Sequence, residues 1–381
     1  MEHLNIGFDA KRAVANNTGL GNYSRLVVDV LSDLYPMHNY MLYAPHTHNT
    51  ERVRTLLSRP NVQLLGPDTN LWQHASAIWR VRNGITRQLA RNGVQLFHGL
   101  SNELPLDIAR SGIPSVVTIH DLIFRRCPEG YKAIDRQIYD YKFRHAALNA
   151  SHVIAISECT KRDLIDLYHI PESKISVVYQ GCNPVFTRPV SPERQAAVKK
   201  QFDLPDTFIA MVGTIEPRKN QLLAVRAMSY LTKDVSLVII GRGRMGYDDL
   251  IRREIRRLNL EQRVKILPFV ESCFLPAVYS LATIAAYPSR YEGFGIPVIE
   301  AINSGTPVIA ATGSCLEEAG GPGALYVRPD FPNEFADAAS RLLFDTQLRA
   351  DMVRAGKEWV QRFSRSNFAN GIMDVYQSVL G

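Results

Sequence analysis

The chain has 381 residues, of which 46% are hydrophobic and 21% are charged. This balance is typical of a soluble globular enzyme, and the length is enough for two domains. There is no run of 18 apolar residues and no signal-peptide pattern at the N-terminus, so neither a membrane span nor secretion is expected. The net charge of +7 fits an anionic substrate or membrane surface, but no nucleic-acid partner is expected because a basic–aromatic binding motif is lacking. The five scattered cysteines indicate thiols in a reducing cytoplasm.

The first half of the chain alternates apolar runs with segments of helical length, a pattern typical of parallel sheets. Helices are predicted at 23–34 and 159–167, and Ser157 is expected to cap the second of them. Strands are predicted at 4–8, 40–43, 62–65, 96–98, 115–119, 153–156 and 175–179. Gly19 and Gly21 follow the first strand and open the first helix, where glycine allows the backbone to approach a phosphate or sugar closely.

The segment between Asp68 and Glu103 contains no acidic residue but holds several arginines and two tryptophans, namely Arg80, Arg82, Arg87, Arg91, Trp72 and Trp79. One interpretation is an amphipathic surface that meets anionic lipid. The alternative is a helix that packs its tryptophans into the core and leaves its arginines in water. The composition favours the second interpretation slightly.

His120 and Asp121 directly follow the strand predicted at 115–119. Ligands of open α/β sheets bind beyond the carboxyl ends of the strands, so this position favours a role in a binding site. A single histidine is more often structural, and the pair alone does not decide between the two.

The second half begins a new α/β series after turn residues at 181–184 and 189–192, where we place the linker. Strands are predicted at 208–212, 236–240, 264–269, 284–287 and 307–310. Helices are predicted at 221–231, 248–258, 297–303 and 367–380.

The loop 213–220 follows the first of these strands and contains Gly213, Arg218 and Lys219. An arginine fork and a lysine point charge at the carboxyl end of a strand can neutralise a diphosphate. We therefore interpret this loop as an anion-binding loop.

Gly241, Gly243 and Gly246 form a complete G-x-G-x-x-G pattern between a strand and a helix. On pattern alone this is a dinucleotide fingerprint, and Glu271 stands where a ribose-binding acid would follow. An NAD(P)-dependent oxidoreductase is thus the alternative from a different enzyme class.

Glu292 and Glu300 lie eight positions apart, the first in a glycine-flanked loop and the second one turn into a short helix that starts near Pro297. Gly305 is expected just past the end of this helix. The helix start offers N–H groups and a partial positive charge, which suit a phosphate. One segment therefore offers two carboxylates for sugar hydroxyls and an anion site between them.

The Glu292–Glu300 segment resembles the E-x7-E segment of family 4 retaining glycosyltransferases, and the loop 213–220 resembles their diphosphate loop. The resemblance implies an α/β fold of the GT-B class, with two Rossmann-like, doubly wound domains that face a cleft. It implies an acceptor-binding domain at 1–185, a nucleotide-sugar-binding domain at 186–365, and a helix at 366–381 that crosses back to the first domain.

The resemblance also implies roles for the residues that match it. His120 would hydrogen-bond the transferred sugar, and Asp121 would orient His120 or bind the acceptor. Glu292 would contact the donor sugar and Glu300 the ribose. The remaining donor-binding positions implied in the same way are Gly19, Gly21, Gly213, Arg218, Lys219, Gly241, Phe269, Gly293, Phe294 and Gly295.

The implied reaction moves a hexose from a nucleoside diphosphate to an acceptor hydroxyl with retention of configuration. Segments 8–12 and 118–122 look like those of bacterial mannosyltransferases of surface polysaccharide synthesis, which favours GDP-mannose over UDP-glucose as the donor. The acceptor would be a growing, lipid-linked glycan at the inner face of the cytoplasmic membrane. No metal-binding motif occurs, so a metal-independent reaction is expected.

Overall fold

The computed structural model of the protein describes residues 3–47, 50–244 and 246–381. Met245, inside the predicted G-x-G-x-x-G segment, and the first two residues of the N-terminus lie outside the described residues. The chain divides into a first unit, Met1–Gln180 with Ser364–Gly381, and a second unit, Gly181–Phe363.

Strands and helices alternate through most of the described residues. The strands are β1 (Asn5–Asp9), β2 (Asn39–Tyr43), β3 (Val62–Leu65), β4 (Leu96–Gly99), β5 (Ser115–Ile119), β6 (His152–Ala155), β7 (Ile175–Val177), β8 (Phe208–Val212), β9 (Ser236–Ile240), β10 (Val264–Leu267), β11 (Ile284–Tyr287), β12 (Val308–Ala311) and β13 (Ala324–Val327). The helices are α1 (Lys11–Ala15), α2 (Gly19–Leu34), α3 (Arg54–Leu57), α4 (Asn70–His74), α5 (Ser76–Val81), α6 (Gly84–Arg91), α7 (Ile123–Arg126), α8 (Ala133–Asn149), α9 (Glu158–Tyr168), α10 (Pro192–Phe202), α11 (Gln221–Ala227), α12 (Tyr247–Arg257), α13 (Leu275–Leu281), α14 (Ile296–Asn303), α15 (Leu316–Gly320), α16 (Pro332–Phe344), α17 (Thr346–Trp359) and α18 (Arg365–Leu380).

Within the described residues, each unit contains one parallel sheet. The first sheet has the strand order β3-β2-β1-β4-β5-β6-β7, and the second has the order β10-β9-β8-β11-β12-β13. In each order the direction of strand addition reverses once, between β1 and β4 and between β8 and β11, which is where open α/β sheets bind their ligands. The predicted fold class, α/β with two Rossmann-like domains as in the GT-B class, is confirmed.

The predicted strands are confirmed. They could be recognised because strands buried on both faces of a parallel sheet appear in the sequence as short apolar runs. Every residue of β4, β5, β11 and β12 is buried. Ser157 caps α9 as predicted, since its Oγ accepts a hydrogen bond from the Thr160 N–H at 3.0 Å. Gly305 has φ of +84° just past the end of α14, as expected.

The ends of several predicted helices and strands are wrong. The helix predicted at 221–231 ends at Ala227 and continues only as the 3₁₀ turn Met228–Tyr230. The strand predicted at 264–269 ends at Leu267, which leaves Phe269 60% exposed beyond it. The helix predicted at 23–34 begins four residues earlier, at Gly19, so Gly19 and Gly21, which were expected to open the helix, lie within its first turn.

The segment between Asp68 and Glu103 forms α4, α5, α6 and β4, and Trp79, Ile85 and Leu89 of its helices share a core cluster with Phe97 of β4. Trp79 is fully buried and its indole N–H donates to Gln88 Oε1 at 3.1 Å, so the lipid-facing interpretation is wrong for this residue. Arg82 and Arg87 are exposed, but Arg80 is buried, so the expectation that all the arginines lie in water is also wrong. The Arg80 guanidinium lies 2.5 Å from Asp9 Oδ2 and 2.5 Å from Glu103 Oε2.

The C-terminal helix α18 belongs to the first unit and packs against α2. Arg365 forms an ion pair with Asp29 at 2.6 Å near the start of α18. Further along, the Tyr376 hydroxyl lies 2.6 Å from His98 Nδ1, and both residues are buried. These contacts anchor the end of the chain beside β4.

Candidate active site

Several of the predicted donor-binding residues of the second unit follow three neighbouring strands at the carboxyl edge of its sheet. Gly213 follows β8, Gly241 follows β9, and Glu292 lies five residues beyond β11. Because the carboxyl ends of parallel strands meet at one edge, residues as far apart as Gly213 and Glu292, which are 79 positions apart, come together there.

An ion cluster joins the basic loop to the glutamate loop. Lys219 Nζ lies 2.8 Å from Glu292 Oε1, and Arg218 Nη1 lies 2.6 Å from Glu292 Oε2. Arg218 also bonds to Glu216 Oε1 at 2.6 Å, and Arg244 lies 3.5 Å from the other oxygen of Glu216. The side chains of Arg218, Lys219, Glu216 and Glu292 are each between 14% and 17% exposed, so the cluster is accessible at its surface.

The two carboxyl groups of the E-x7-E segment differ in their ionisation. Burial acts to raise the pKa of Glu292, but the adjacent Lys219 and Arg218 charges outweigh it and lower the pKa to about 2. Burial alone raises the pKa of Glu300 to about 8. At neutral pH, Glu292 is therefore a carboxylate, whereas most Glu300 side chains carry a proton.

The basic loop is held in place by its own backbone and by Asn220. The residues Pro217–Lys219 form a 3₁₀ turn that ends at Asn220, whose φ is +57°. The Asn220 amide donates to the carbonyl oxygens of Pro288, at 3.1 Å, and Pro329, at 2.7 Å. The Arg290 N–H donates to the Arg218 carbonyl at 2.8 Å, which ties the two loops directly.

The glycine-rich turn after β9 packs against the loop after β8. A Cβ on Gly241, whose φ is +155°, would lie 1.9 Å from the Gly213 carbonyl oxygen. Ile215 pairs with Gly243, and a Cβ on Gly243 would meet the Asp248 carboxylate at 2.2 Å. Close packing against Gly213 and Asp248 therefore explains why glycine is needed at positions 241 and 243, and a bound dinucleotide is not required to explain it.

The start of α14 is shaped by Gly295, whose φ is +119°. A Cβ there would lie 3.0 Å from Leu316 Cδ2 and 3.1 Å from Ala319 Cβ. Phe294 is 3% exposed and packs edge-to-face on Phe363 with ring centroids 5.3 Å apart. Its side chain belongs to the core, so a ligand contact there would come from the backbone, as it would at the neighbouring buried Gly293.

Phe269 lies at the edge of the same loops and is 60% exposed. The Arg242 guanidinium sits 5.5 Å from the ring centroid. An exposed aromatic ring beside a cation is suited to stacking on a planar base.

In the first unit, His120 is 5% exposed directly beyond β5. Its Nε2 lies 2.9 Å from the Leu100 carbonyl oxygen, so Nε2 carries the hydrogen and Nδ1 is left as an acceptor. Burial lowers the pKa of His120 to about 4, which keeps the ring neutral. Asp121 Oδ1 accepts from the Ile123 N–H at 3.0 Å and so caps the next turn.

Gly19 and Gly21 differ in their surroundings. A Cβ on Gly21 would lie 2.0 Å from the Asn16 carbonyl oxygen, so this glycine is required where α2 packs on the preceding loop. A Cβ on Gly19 would meet no atom within 4 Å. Of the two, only Gly19 borders open space.

Two family models match most of the chain. Residues 23–186 match the family described as Glycosyltransferase Family 4, and residues 193–359 match Glycosyl transferases group 1. The chain belongs to glycosyltransferase family 4. It is therefore a transferase, and the oxidoreductase alternative is discarded.

This family 4 glycosyltransferase resembles enzymes that transfer different sugars. It is 28% identical to the O-antigen chain mannosyltransferase B of Escherichia coli over 287 residues, which cover 74% of each chain. It is 25% identical to the alpha-D-kanosaminyltransferase of Streptomyces kanamyceticus over 326 residues, covering 81% of this chain and 83% of the relative. The crystal structure of Anabaena HepE in complex with UDP shares its fold, with a TM-score of 0.75, 20% identity, and coverage of 99% of this chain and 100% of that chain.

Glu216 was missed by the sequence-based predictions. It stands two residues before Arg218 in the loop whose basic residues were predicted to bind anions, so its position was the available signal.

The described part of the glycosyltransferase contains no group of three or more metal-ligating side chains. In those same residues, no helix combines the length and apolar character needed to cross a membrane.

Proposed function

We propose that this glycosyltransferase moves a hexose from a nucleoside diphosphate to an acceptor hydroxyl with retention of configuration. The observation that carries the proposal is the convergence of Arg218 and Lys219 on Glu292 at the carboxyl edge of the second sheet. This edge presents cations for a diphosphate beside a carboxylate for sugar hydroxyls.

The departing nucleoside diphosphate gains negative charge as the bond to the sugar breaks. Arg218 and Lys219, fixed by the turn that ends at Asn220, would stabilise that charge without reorganisation. The backbone around Gly293, Phe294 and Gly295 would add N–H groups at the start of α14. With these groups in place, the reaction would not depend on a metal ion.

We propose the other donor contacts on the chemistry of each group. Glu292, ionised at neutral pH, would accept hydrogen bonds from hydroxyls of the hexose. Glu300 would bind the ribose, and Phe269 would stack on the base. Gly213 and Gly241 would shape the nucleotide site by allowing their two loops to pack closely.

The donor we propose is GDP-mannose, with UDP-glucose as the alternative. The 28% identity to a mannosyltransferase supports mannose. The shared fold with a protein crystallised with UDP keeps the uridine nucleotide as the alternative, since fold alone does not select the base.

The first unit would bind the acceptor, a growing lipid-linked glycan, at the cytoplasmic face of the membrane. His120, a neutral ring with an acceptor nitrogen, would contact a sugar hydroxyl, and Asp121 would fix the turn that follows it. The open space beside Gly19 would leave room for a sugar or phosphate.

Calorimetric titration with GDP, UDP and NAD tests this proposal, followed by transfer assays with the nucleotide sugar of the base that binds. GDP is expected to bind most tightly, and transfer from GDP-mannose is expected to survive excess EDTA and to keep the anomeric configuration. Tighter binding of UDP would favour the alternative donor. Binding of NAD alone, or a complete loss of activity in EDTA that manganese restores, would overturn the donor assignment or the metal-independent reaction.

A further inference from the structure

The first unit contains an apolar pocket of about 300 Å³ that none of the proposed donor contacts uses. Its apolar lining comes from the end of α5, the segment after β4, and α8, and comprises Val81, Leu104, Leu106, Ile134, Ile138 and Tyr141. This volume reaches the lower end of the range for small-molecule sites, which are mostly apolar with a few polar groups.

The outer wall is an apolar stripe on α8 that the fold leaves open. Ile134, Ile138 and Tyr141 follow at spacings of four and three, so they share one face of the helix. They are 60%, 45% and 62% exposed. The opposite face of α8 packs on the core through Phe143, which is 9% exposed.

The floor of the pocket is a network of charges that satisfy one another. Arg80 bridges Asp9 and Glu103, and Lys142 Nζ lies 3.4 Å from the second oxygen of Glu103. Asp9 is the last residue of β1, and Glu103 lies four residues beyond β4. The pocket therefore lies at the carboxyl edge of the sheet, beside the point between β1 and β4 where the strand order reverses.

The chemistry of the walls selects a hydrocarbon over a sugar. Each sugar hydroxyl that leaves water needs a hydrogen-bond partner, and on the walls of the pocket only Gln137 and the Tyr141 hydroxyl could supply one. The charged groups of the floor bond to one another and to Asp9, and Arg80 and Asp9 are buried. A hydrocarbon chain, in contrast, gains by contact with such walls.

The charge around the pocket favours an anionic head group. Apart from Lys142, which pairs with Glu103, residues 132–144 carry three basic and two acidic side chains, a net charge of +1 from Lys132, Arg136 and Arg144 against Asp135 and Asp140. Asp140 accepts a hydrogen bond from Tyr168 at 3.0 Å. A phosphate at the mouth of the pocket would meet this basic excess.

We propose that this pocket binds the hydrocarbon chain of a lipid phosphate. If the proposed function is correct, this ligand is the lipid part of the acceptor, and the first unit then distinguishes lipid-linked glycans from free ones. Trp79 is buried and so does not reach lipid. We assign the lipid contact of the first unit to this pocket instead.

The test is calorimetry with alkyl phosphates from hexyl to decyl, kept below the concentration at which they form micelles. Affinity is expected to rise about 4-fold for each methylene that enters the pocket, the equivalent of about 0.8 kcal/mol. The double variant Ile134→Asn/Ile138→Asn should abolish this dependence on chain length. Both side chains are largely exposed, so the variant should melt like the parent protein.

Phe344→Asn is the matched control, because Phe344 is 70% exposed on the second unit, and it should leave the chain-length dependence unchanged. Affinity that does not depend on chain length, or that persists in the double variant, would overturn the proposal. So would binding of methyl mannoside that the double variant loses, because it would make the pocket a sugar site. Nucleotide binding is read separately, so a failure of the donor assignment would leave this result intact.

Discussion

Lys219 Nζ lies 2.8 Å from Glu292 Oε1, although the two residues are 73 positions apart in the chain. With Arg218 on the other carboxylate oxygen, Glu292 pairs with both of the cations that we propose for the diphosphate, and its single negative charge offsets one of them. A bound diphosphate would therefore share these cations with Glu292 or take its place. We therefore expect the loss of the Lys219 cation and the loss of the Glu292 carboxylate to affect diphosphate binding differently.

Lys219→Ala should fold, bind nucleoside diphosphate weakly and turn over very slowly. Removing one charge-assisted donor from a water-poor site typically costs about 2.7–4 kcal/mol, or roughly 100- to 1000-fold in rate. Steady-state kinetics and nucleotide calorimetry measure the two effects. Lys233→Ala, in the turn before β9, is the control and should behave like the parent enzyme. Near-normal turnover of Lys219→Ala would show that this lysine does not serve the donor.

Glu292→Gln should separate binding from transfer. Without the Glu292 charge, Arg218 and Lys219 lose a competing anion, so free nucleoside diphosphate should bind at least as tightly as to the parent enzyme. Transfer should collapse, because the amide is a poorer acceptor for the hexose hydroxyls. Calorimetry and transfer assays on one preparation test both halves. Loss of diphosphate binding as severe as in Lys219→Ala would contradict the separate roles.

Glu300 should make nucleotide binding depend on pH. Its pKa of about 8 leaves the carboxyl protonated at pH 7, whereas ribose hydroxyls would favour the ionised form as an acceptor. Binding should thus lower this pKa and release close to one proton at pH 7, but almost none at pH 9, where the group is already ionised. Calorimetry in buffers of different ionisation enthalpy counts the protons. Glu300→Gln should release none from this site, and an unchanged count in this variant would place the ribose elsewhere.

Arg80→Ala should destabilise the first unit strongly. The change leaves the carboxylates of Asp9 and Glu103 buried without their shared partner, which typically costs about 3–5 kcal/mol. Urea unfolding measures the loss. Arg82→Ala, two residues on and exposed, should change stability by no more than about 0.5 kcal/mol. Similar small effects in both variants would argue against a structural role for the buried ion network.

The sequence predicted most strands because buried parallel strands leave compact apolar runs bounded by turn residues. It did not predict α8, because this helix places apolar residues on two faces. Phe143 packs into the core, whereas Ile134 and Ile138 stay exposed. Because α8 has apolar residues on both faces, it lacks the one-sided apolar pattern by which an amphipathic helix is recognised.

The start of α10 could have been found, since Ser191, Pro192 and Glu193 form a helix-start signal and Ser191 Oγ accepts from the Arg194 N–H.

In the candidate site, the sequence predicted which loops meet but not how their charges pair. The carboxyl ends of β8 and β11 had to lie together once both belonged to one parallel sheet. The bond of Arg218 to Glu216, and the bonds from Asn220 to two distant carbonyls, depend on side-chain directions that no spacing rule specifies. The burial of Arg80 was missed for the same reason, since its partners Asp9 and Glu103 are 71 and 23 positions away.

Gly19 and Gly21 allow a test that separates packing from ligand contact. Gly21→Ala would place a Cβ 2.0 Å from the Asn16 carbonyl oxygen, so the backbone must shift, at a cost of roughly 1–3 kcal/mol. Gly19→Ala meets no neighbouring atom and should leave stability unchanged or raise it by up to about 1 kcal/mol, because alanine favours a helix. If a phosphate or sugar approaches the backbone at Gly19, this variant should nevertheless lose transfer activity. Thermal melts and transfer assays decide, and a Gly19→Ala enzyme with full activity would remove Gly19 from the substrate site.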